Sequence, residues 1–77
     1  MTLKIISAED ILFEGEVSSV TLPGAKGLFT VLNHHASLIS TLTAGKISYV
    51  EDGQEQQLPI TGGLVDVDNN VVSVCIY

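Results

Sequence analysis

Asp52-Gly53 stands between two runs that alternate apolar and polar residues, Gly45–Glu51 and Gln54–Thr61. Both residues tolerate the positive φ that a two-residue hairpin turn demands, so the stretch predicts a tight antiparallel hairpin. Such a hairpin is marginal alone in water and must bury its apolar face against more sheet. The same pattern returns at Asn69-Asn70, between Leu64–Asp68 and Val71–Ile76, since Asn also accepts positive φ. Pro59 lacks an amide donor and belongs at a sheet edge or a bulge.

The remaining chain continues this grammar. Thr2–Ser7 alternates around Leu3 and Ile5 and predicts a first strand, closed by a turn at Ala8-Glu9-Asp10. Ile11–Leu22 predicts one long strand whose phase changes: Phe13 and Val17 are odd, Val20 and Leu22 even. One extra residue has to be absorbed, and Ser18-Ser19 is the expected bulge, a kink that lets one strand serve two sheets. Gly27–Leu32 predicts a further strand. Ala36–Leu42 does too, because Ser, Thr and Ile are weak helix formers and Gly45 follows closely. Gly62-Gly63 bends the chain. Seven or eight short strands with turns roughly every 8–12 residues predict an antiparallel β-sandwich or flattened barrel.

The chain has 77 residues, which makes residues 1–77 a single domain. A domain this small buries only about 60% of its unfolded surface, so a docked partner would add to its stability. Only 16% of its residues are charged and 45% are hydrophobic, a composition that predicts some surface covered by other protein. Its net charge is −6, with three lysines and no arginine. Nucleic-acid binding needs a basic footprint, and an anionic membrane would repel this surface. The single cysteine, Cys75, excludes an internal disulfide and reads as a small apolar residue of the last strand. The apolar run at Met1–Ile6 meets Glu9 and Asp10 too soon for a leader or a span, so direct membrane insertion is not expected.

Motifs for chemistry fail one by one. Gly45-Lys46 lacks the following Ser or Thr of a phosphate loop, and Ser40 stands where its first glycine belongs. Asp66-Val67-Asp68-Asn69-Asn70 starts like a calcium loop but has Val71 and Tyr77 where Gly and Glu are required. Glu14 and Glu16 lie on one strand face and read as a solvated acidic surface rather than an acid–base pair. His34-His35 invites a metal, yet neighbours on extended chain point to opposite sides, and no third ligand is spaced nearby. Gly-x-Ser-x-Gly is absent. The residues alone therefore point to a non-catalytic binding or coupling module without metal or cofactor. A free-standing small β-sandwich that binds protein, or a ligand in a barrel mouth, is the second reading. A metal-dependent enzyme at His34 and His35 is the third.

A longer pattern carries a resemblance. It runs through Ser7-Ala8-Glu9, Phe13-Glu14-Gly15-Glu16-Val17, Val20-Thr21-Leu22-Pro23-Gly24-Ala25-Lys26-Gly27-Leu28-Phe29-Thr30-Val31-Leu32, His35-Ala36-Ser37-Leu38-Ile39, Gly45, Ile60-Thr61-Gly62-Gly63 and Asn70-Val71-Val72-Ser73-Val74. This resembles the epsilon subunit of the F-type ATP synthase, called delta in mitochondria. The resemblance implies an all-β sandwich of eight to ten short strands. It implies a non-catalytic rotor subunit between gamma and the c-ring, coupling proton or sodium flow to ATP synthesis. It would sit peripherally at the cytoplasmic face of the bacterial inner membrane. Pro23, Gly24, Ala25, Lys26, Gly27 and Leu28 would face the ring, and Ser7, His35 and Ser40 would face gamma.

The chain departs from the family pattern at three places. Asn33-His34-His35-Ala36-Ser37 replaces a common Pro-Gly-His-Ala-Pro, and the spacing to Ala36 assigns the family's histidine to His35. Leu28 replaces a frequent acidic residue, with Lys26 nearby, so an apolar ring contact is expected. The family's carboxy-terminal helical hairpin would begin beyond Tyr77, so neither inhibition by that hairpin nor ATP binding is expected of residues 1–77.

Overall fold

The computed structural model describes every residue from Met1 to Tyr77. Nine strands follow in order: β1 (Thr2–Ile6), β2 (Ile11–Glu16), β3 (Ser19–Gly24), β4 (Gly27–Leu32), β5 (Leu38–Leu42), β6 (Gly45–Glu51), β7 (Gln54–Ile60), β8 (Gly63–Asp68) and β9 (Val71–Ile76). There is no helix, and hence none long and apolar enough to cross a membrane.

The strands form two halves of one curled sheet. One half runs β2-β1-β9-β8-β5, and the other places β3 between β4 and β6, with β7 outermost. They join where β3 pairs with β5 through Gly24 and Leu42 alone. Phe13 of the first half meets Tyr49 of the second, with ring centroids 4.5 Å apart, an aromatic contact between the facing layers. This is the flattened barrel that the alternation predicts.

Alternation explains which side chains fill it. Leu3 and Ile5 of β1, Val65 and Val67 of β8, and Val72 and Val74 of β9 are buried, while their neighbours along each strand are at least partly exposed. With Val20, Leu22, Val31 and Ile47 they form the centre of one continuous core of 15 buried residues. Cys75 lies in the last strand, but its side falls on the outer face and the thiol is exposed.

The long strand expected over Ile11–Leu22 is instead two. The chain leaves β2 at Val17 and re-enters as β3 at Ser19, changing from one half of the sheet to the other. Main-chain bonds pin the corner: Val17 N–H donates to Met1 O at 2.9 Å and Ser18 N–H to Val50 O at 2.9 Å. The phase change was thus absorbed by a switch of sheets, and the β-bulge or irregularity of this region falls between Ile5 and Ile6 in the β1–β2 ladder. One ladder also departs from the antiparallel pattern, since β1 and β9 run parallel.

Both predicted tight turns are present. Asp52 and Gly53 have φ of 51° and 76°, and Asn69 and Asn70 have 50° and 62°. Two positive values in succession are the signature of a type I′ turn, whose twist matches that of the strands it joins. Pro59 sits on β7, which pairs with β6 only.

Candidate functional site: the β3–β4 tip and the β4–β5 side

Pro23 to Leu28 is the end of one strand, a turn and the start of the next. Pro23 pairs with Leu28 and Gly24 with Gly27, which leaves Ala25-Lys26 as a two-residue tip. Gly27 has φ of 124°, a backbone that a side chain strains. The tip is strapped to the end of β5 and to the residue that follows it. Ala25 N–H donates to Thr41 O at 3.0 Å, and Thr43 N–H to Pro23 O at 2.8 Å. Pro23 and Gly24 are buried. A Cβ on Gly24 would lie 2.8 Å from the Phe29 ring, so this glycine gives the ring room to pack. Of the six residues expected to face a ring, Ala25, Lys26, Gly27 and Leu28 are exposed, and the first two support them.

Leu28 is 74% exposed and Ile39 of β5 is 71% exposed. They share an open groove of about 490 Å³ with Ala25, Lys26 and Thr41. Ile39 was not anticipated as a contributor. The signal was available: Leu28-Phe29 and Leu38-Ile39 are adjacent apolar pairs, and in a strand one member of each must point outward.

His35 and Ser40 come together. With Phe29 and Leu38 they line a second hollow, of about 310 Å³, on the side of the barrel where β4 and β5 lie. Ser7 does not join them. It closes the β1–β2 turn, with its N–H donating to Asp10 O at 2.8 Å, and lines a different cleft with Lys4 and Ile11. β9 and β8 separate β1 from β5 in the sheet.

The histidine loop is held by residues that the sequence marked only as part of a hairpin turn. His34 has φ of 63°, so the chain turns there rather than extending, and the argument from extended chain does not apply to the pair. His34 N–H donates to Asn70 Oδ1 at 2.8 Å, and Ser37 Oγ donates to Asp68 Oδ1 at 2.7 Å. The β8–β9 turn thus anchors the loop. His35 Nδ1 lies 2.7 Å from Ala36 O. A carbonyl only accepts, so Nδ1 carries a proton, and Nε2 is left free for a partner. No three His, Cys, Asp or Glu side chains converge in a metal-binding arrangement.

No carboxylate lines either hollow. The two groups whose titration is displaced lie elsewhere. The Thr2 hydroxyl, 2.7 Å from its carboxylate, holds Glu16 below its usual range, with the terminal amino group 3.4 Å away adding to this. Partial burial, then the nearby Glu51 charge, raises Tyr49. Neither group lines a cleft, so the geometry of a ligand pocket with perturbed polar groups is not found.

A family model described as "ATP synthase, Delta/Epsilon chain, beta-sandwich domain" matches residues 1–76. The chain belongs to this family. The ATP synthase epsilon chain of Leptospira borgpetersenii is 35% identical over 74 residues, covering 96% of this chain and 58% of the relative. That of Chlorobaculum tepidum is 40% identical over 70 residues, covering 90% and 80%. Residues 1–77 thus span less than two thirds of the Leptospira epsilon chain and most of the Chlorobaculum one. Among solved structures, a chain of the Euglena gracilis mitochondrial ATP synthase (OSCP/F1/c-ring) superposes with a TM-score of 0.90 at 23% identity, over 96% of this chain and 48% of that one. One from the Tetrahymena thermophila central stalk and c-ring assembly gives 0.80 at 16%, over 97% and 61%. These two likenesses establish the fold: it is the epsilon-type β-sandwich.

Proposed function

We propose that this chain is a non-catalytic central-stalk subunit of an F-type ATP synthase. In this reading it binds gamma and the c-ring and couples ion translocation to ATP synthesis. It works at the cytoplasmic face of the bacterial inner membrane, held there by the complex and not by insertion of its own. It uses no cofactor and binds no ATP through residues 1–77. The observation that carries the reading is the family match over residues 1–76. The rigid, strapped tip that presents Leu28 supports it, because a coupling element has to transmit torque without yielding.

The two contact surfaces divide as follows. Ala25 to Leu28, with Ile39 beside them, face the ring. With Leu28 in place of an acid, that contact is apolar. His35 and Ser40 face gamma from the β4–β5 side, and Ser7 touches it, if at all, through a separate patch.

Affinity purification of the tagged chain from a membrane extract tests the reading. Gamma and c subunit are expected in the eluate, and recovery of neither would end it. Leu28→Asp tests the ring surface. An exposed charge costs the fold little, roughly 0.5 kcal/mol. The substitution is expected to lower ATP-driven ion pumping while thermal unfolding stays nearly unchanged. Pumping at the wild-type level would remove Leu28 from the ring contact.

A further inference from the structure

The nitrogen of Met1 is met by more acceptors than a main-chain amide can serve. It donates to Val17 O at 3.1 Å and to Asn33 Oδ1 at 2.8 Å, and Glu16 Oε2 lies 3.4 Å away. The nitrogen of a peptide bond or of an N-acyl group is planar and carries one hydrogen, whereas an ammonium carries three. Three acceptors around one nitrogen, one of them a carboxylate, make a site for an ammonium. The ammonium in turn orients the Asn33 amide, because only its oxygen can accept.

The three contacts differ in weight. Val17 returns the bond, its N–H donating to Met1 O at 2.9 Å, so the pair continues the β1–β2 ladder one step beyond Thr2 and Glu16. That ladder bond needs a single hydrogen and survives acylation. Glu16 is 77% exposed, and water screens its attraction. Asn33 is the contact that only a free amine supplies. It follows the last residue of β4 and precedes His34, so it stands at the entry of the histidine loop. The neighbouring residue reinforces the link: Thr2 N–H donates to Asn70 O at 3.1 Å, and the side chain of Asn70 holds His34. Met1 itself cannot be spared. Its side chain is buried in the core. A chain starting at Thr2 would lose that side chain, and its amine would fall one strand residue, about 3.4 Å, short of Asn33.

We propose that the α-amino group of Met1 is a modification-sensitive site that positions the histidine loop, and that the mature chain keeps Met1 with this amine unacylated. The reaction that must come first is hydrolysis of an N-formyl amide, since bacterial synthesis starts chains on N-formylmethionine. Water supplies the second oxygen of formate, the C–N bond breaks, and the nitrogen gains two protons. A formyl group left in place spends the one remaining hydrogen on Val17. Asn33 Oδ1 then has no donor, and the entry of the loop is released. The formyl step rests on the bacterial setting proposed above; the bond from Met1 to Asn33 does not.

The test uses the whole chain, made in bacteria with the deformylase active or inhibited. With the enzyme active, the intact mass is expected to show Met1 present and its amine free. Loss of Met1, a retained acyl group or residues ahead of Met1 would overturn the proposal. Hydrogen exchange at the His34 and His35 amides, followed by NMR, reads the loop. In the formylated chain it is expected to be about tenfold faster. Asn33→Ala is expected to speed exchange as much in the free chain, while Asn33→Asp, which keeps an oxygen acceptor, leaves it as in wild type. Formylation of Asn33→Ala is expected to add nothing further, since both changes remove one bond. Equal exchange in free and formylated wild type, or effects of formylation and Asn33→Ala that simply add, would overturn the positioning role. Should the formylated chain not fold, the free variants still decide: Asn33→Ala exchanging like wild type would overturn it, and so would Asn33→Asp exchanging like Asn33→Ala.

Discussion

At the scale of residues, burial and close approach decide what can change. Leu22 is fully buried. Leu22→Ala is expected to lower unfolding free energy by about 2–5 kcal/mol, measured by denaturant titration. Gly63 leaves even less room: a Cβ there would run into the backbone carbonyl of Cys75 on the neighbouring strand. Glu16 gives a pH effect whose sign is fixed. Its folded pKa is lowered, first by the Thr2 hydroxyl. Its contribution is therefore present at neutral pH and is lost as the pH falls through that lowered value. Thr2→Ala is expected to move the Glu16 midpoint upward in an NMR titration, and an unmoved midpoint would discount the hydroxyl. None of this was readable beforehand, because Thr2 and Glu16 are joined by strand register and not by proximity in sequence.

At the scale of elements, the sequence was most legible where local chemistry decides. Asp52-Gly53 and Asn69-Asn70 form the turns their residue types demand. Gly53→Ala places a side chain at φ of 76°. It is expected to cost about 1 kcal/mol or more, seen as a lowered Tm with the fold kept. The long Ile11–Leu22 strand was misjudged for a different reason. Alternation records on which face a residue lies, not to which sheet that face belongs, so a bulge and a change of sheet leave the same phase shift. The contact tip was legible as a turn, but its rigidity was not. That depends on Thr41 and Thr43, at the end of β5 and just beyond it, which bond to it directly. The histidine loop likewise owes its shape to Asp68 and Asn70, hydrogen-bonded from 31 and 36 residues away; they were legible as a turn, but no local signal joins them to the histidines.

At the scale of the whole molecule, the fold class followed from strand count and turn spacing, whereas the pairing order did not. A single core holds both halves, so unfolding is expected to be one cooperative transition, with near-UV and far-UV signals coinciding. Two separated transitions would mean that the halves fold independently. The parallel β1–β9 pair bears on how the chain is made. Thr2 to Ile6 take their partners from Val71 to Cys75. During synthesis β1 is made before β9, so one of its two neighbours arrives only after the seven strands between them. Until then only β2 can shield it, and Leu3 and Ile5 have no completed layer to enter. The nascent chain thus carries an unsatisfied apolar strand while β2 to β8 are being made. Crowding by ribosomes on one message, or slow decoding near codon 70, would bear harder on the yield of this domain than on one whose first strand pairs only with its second.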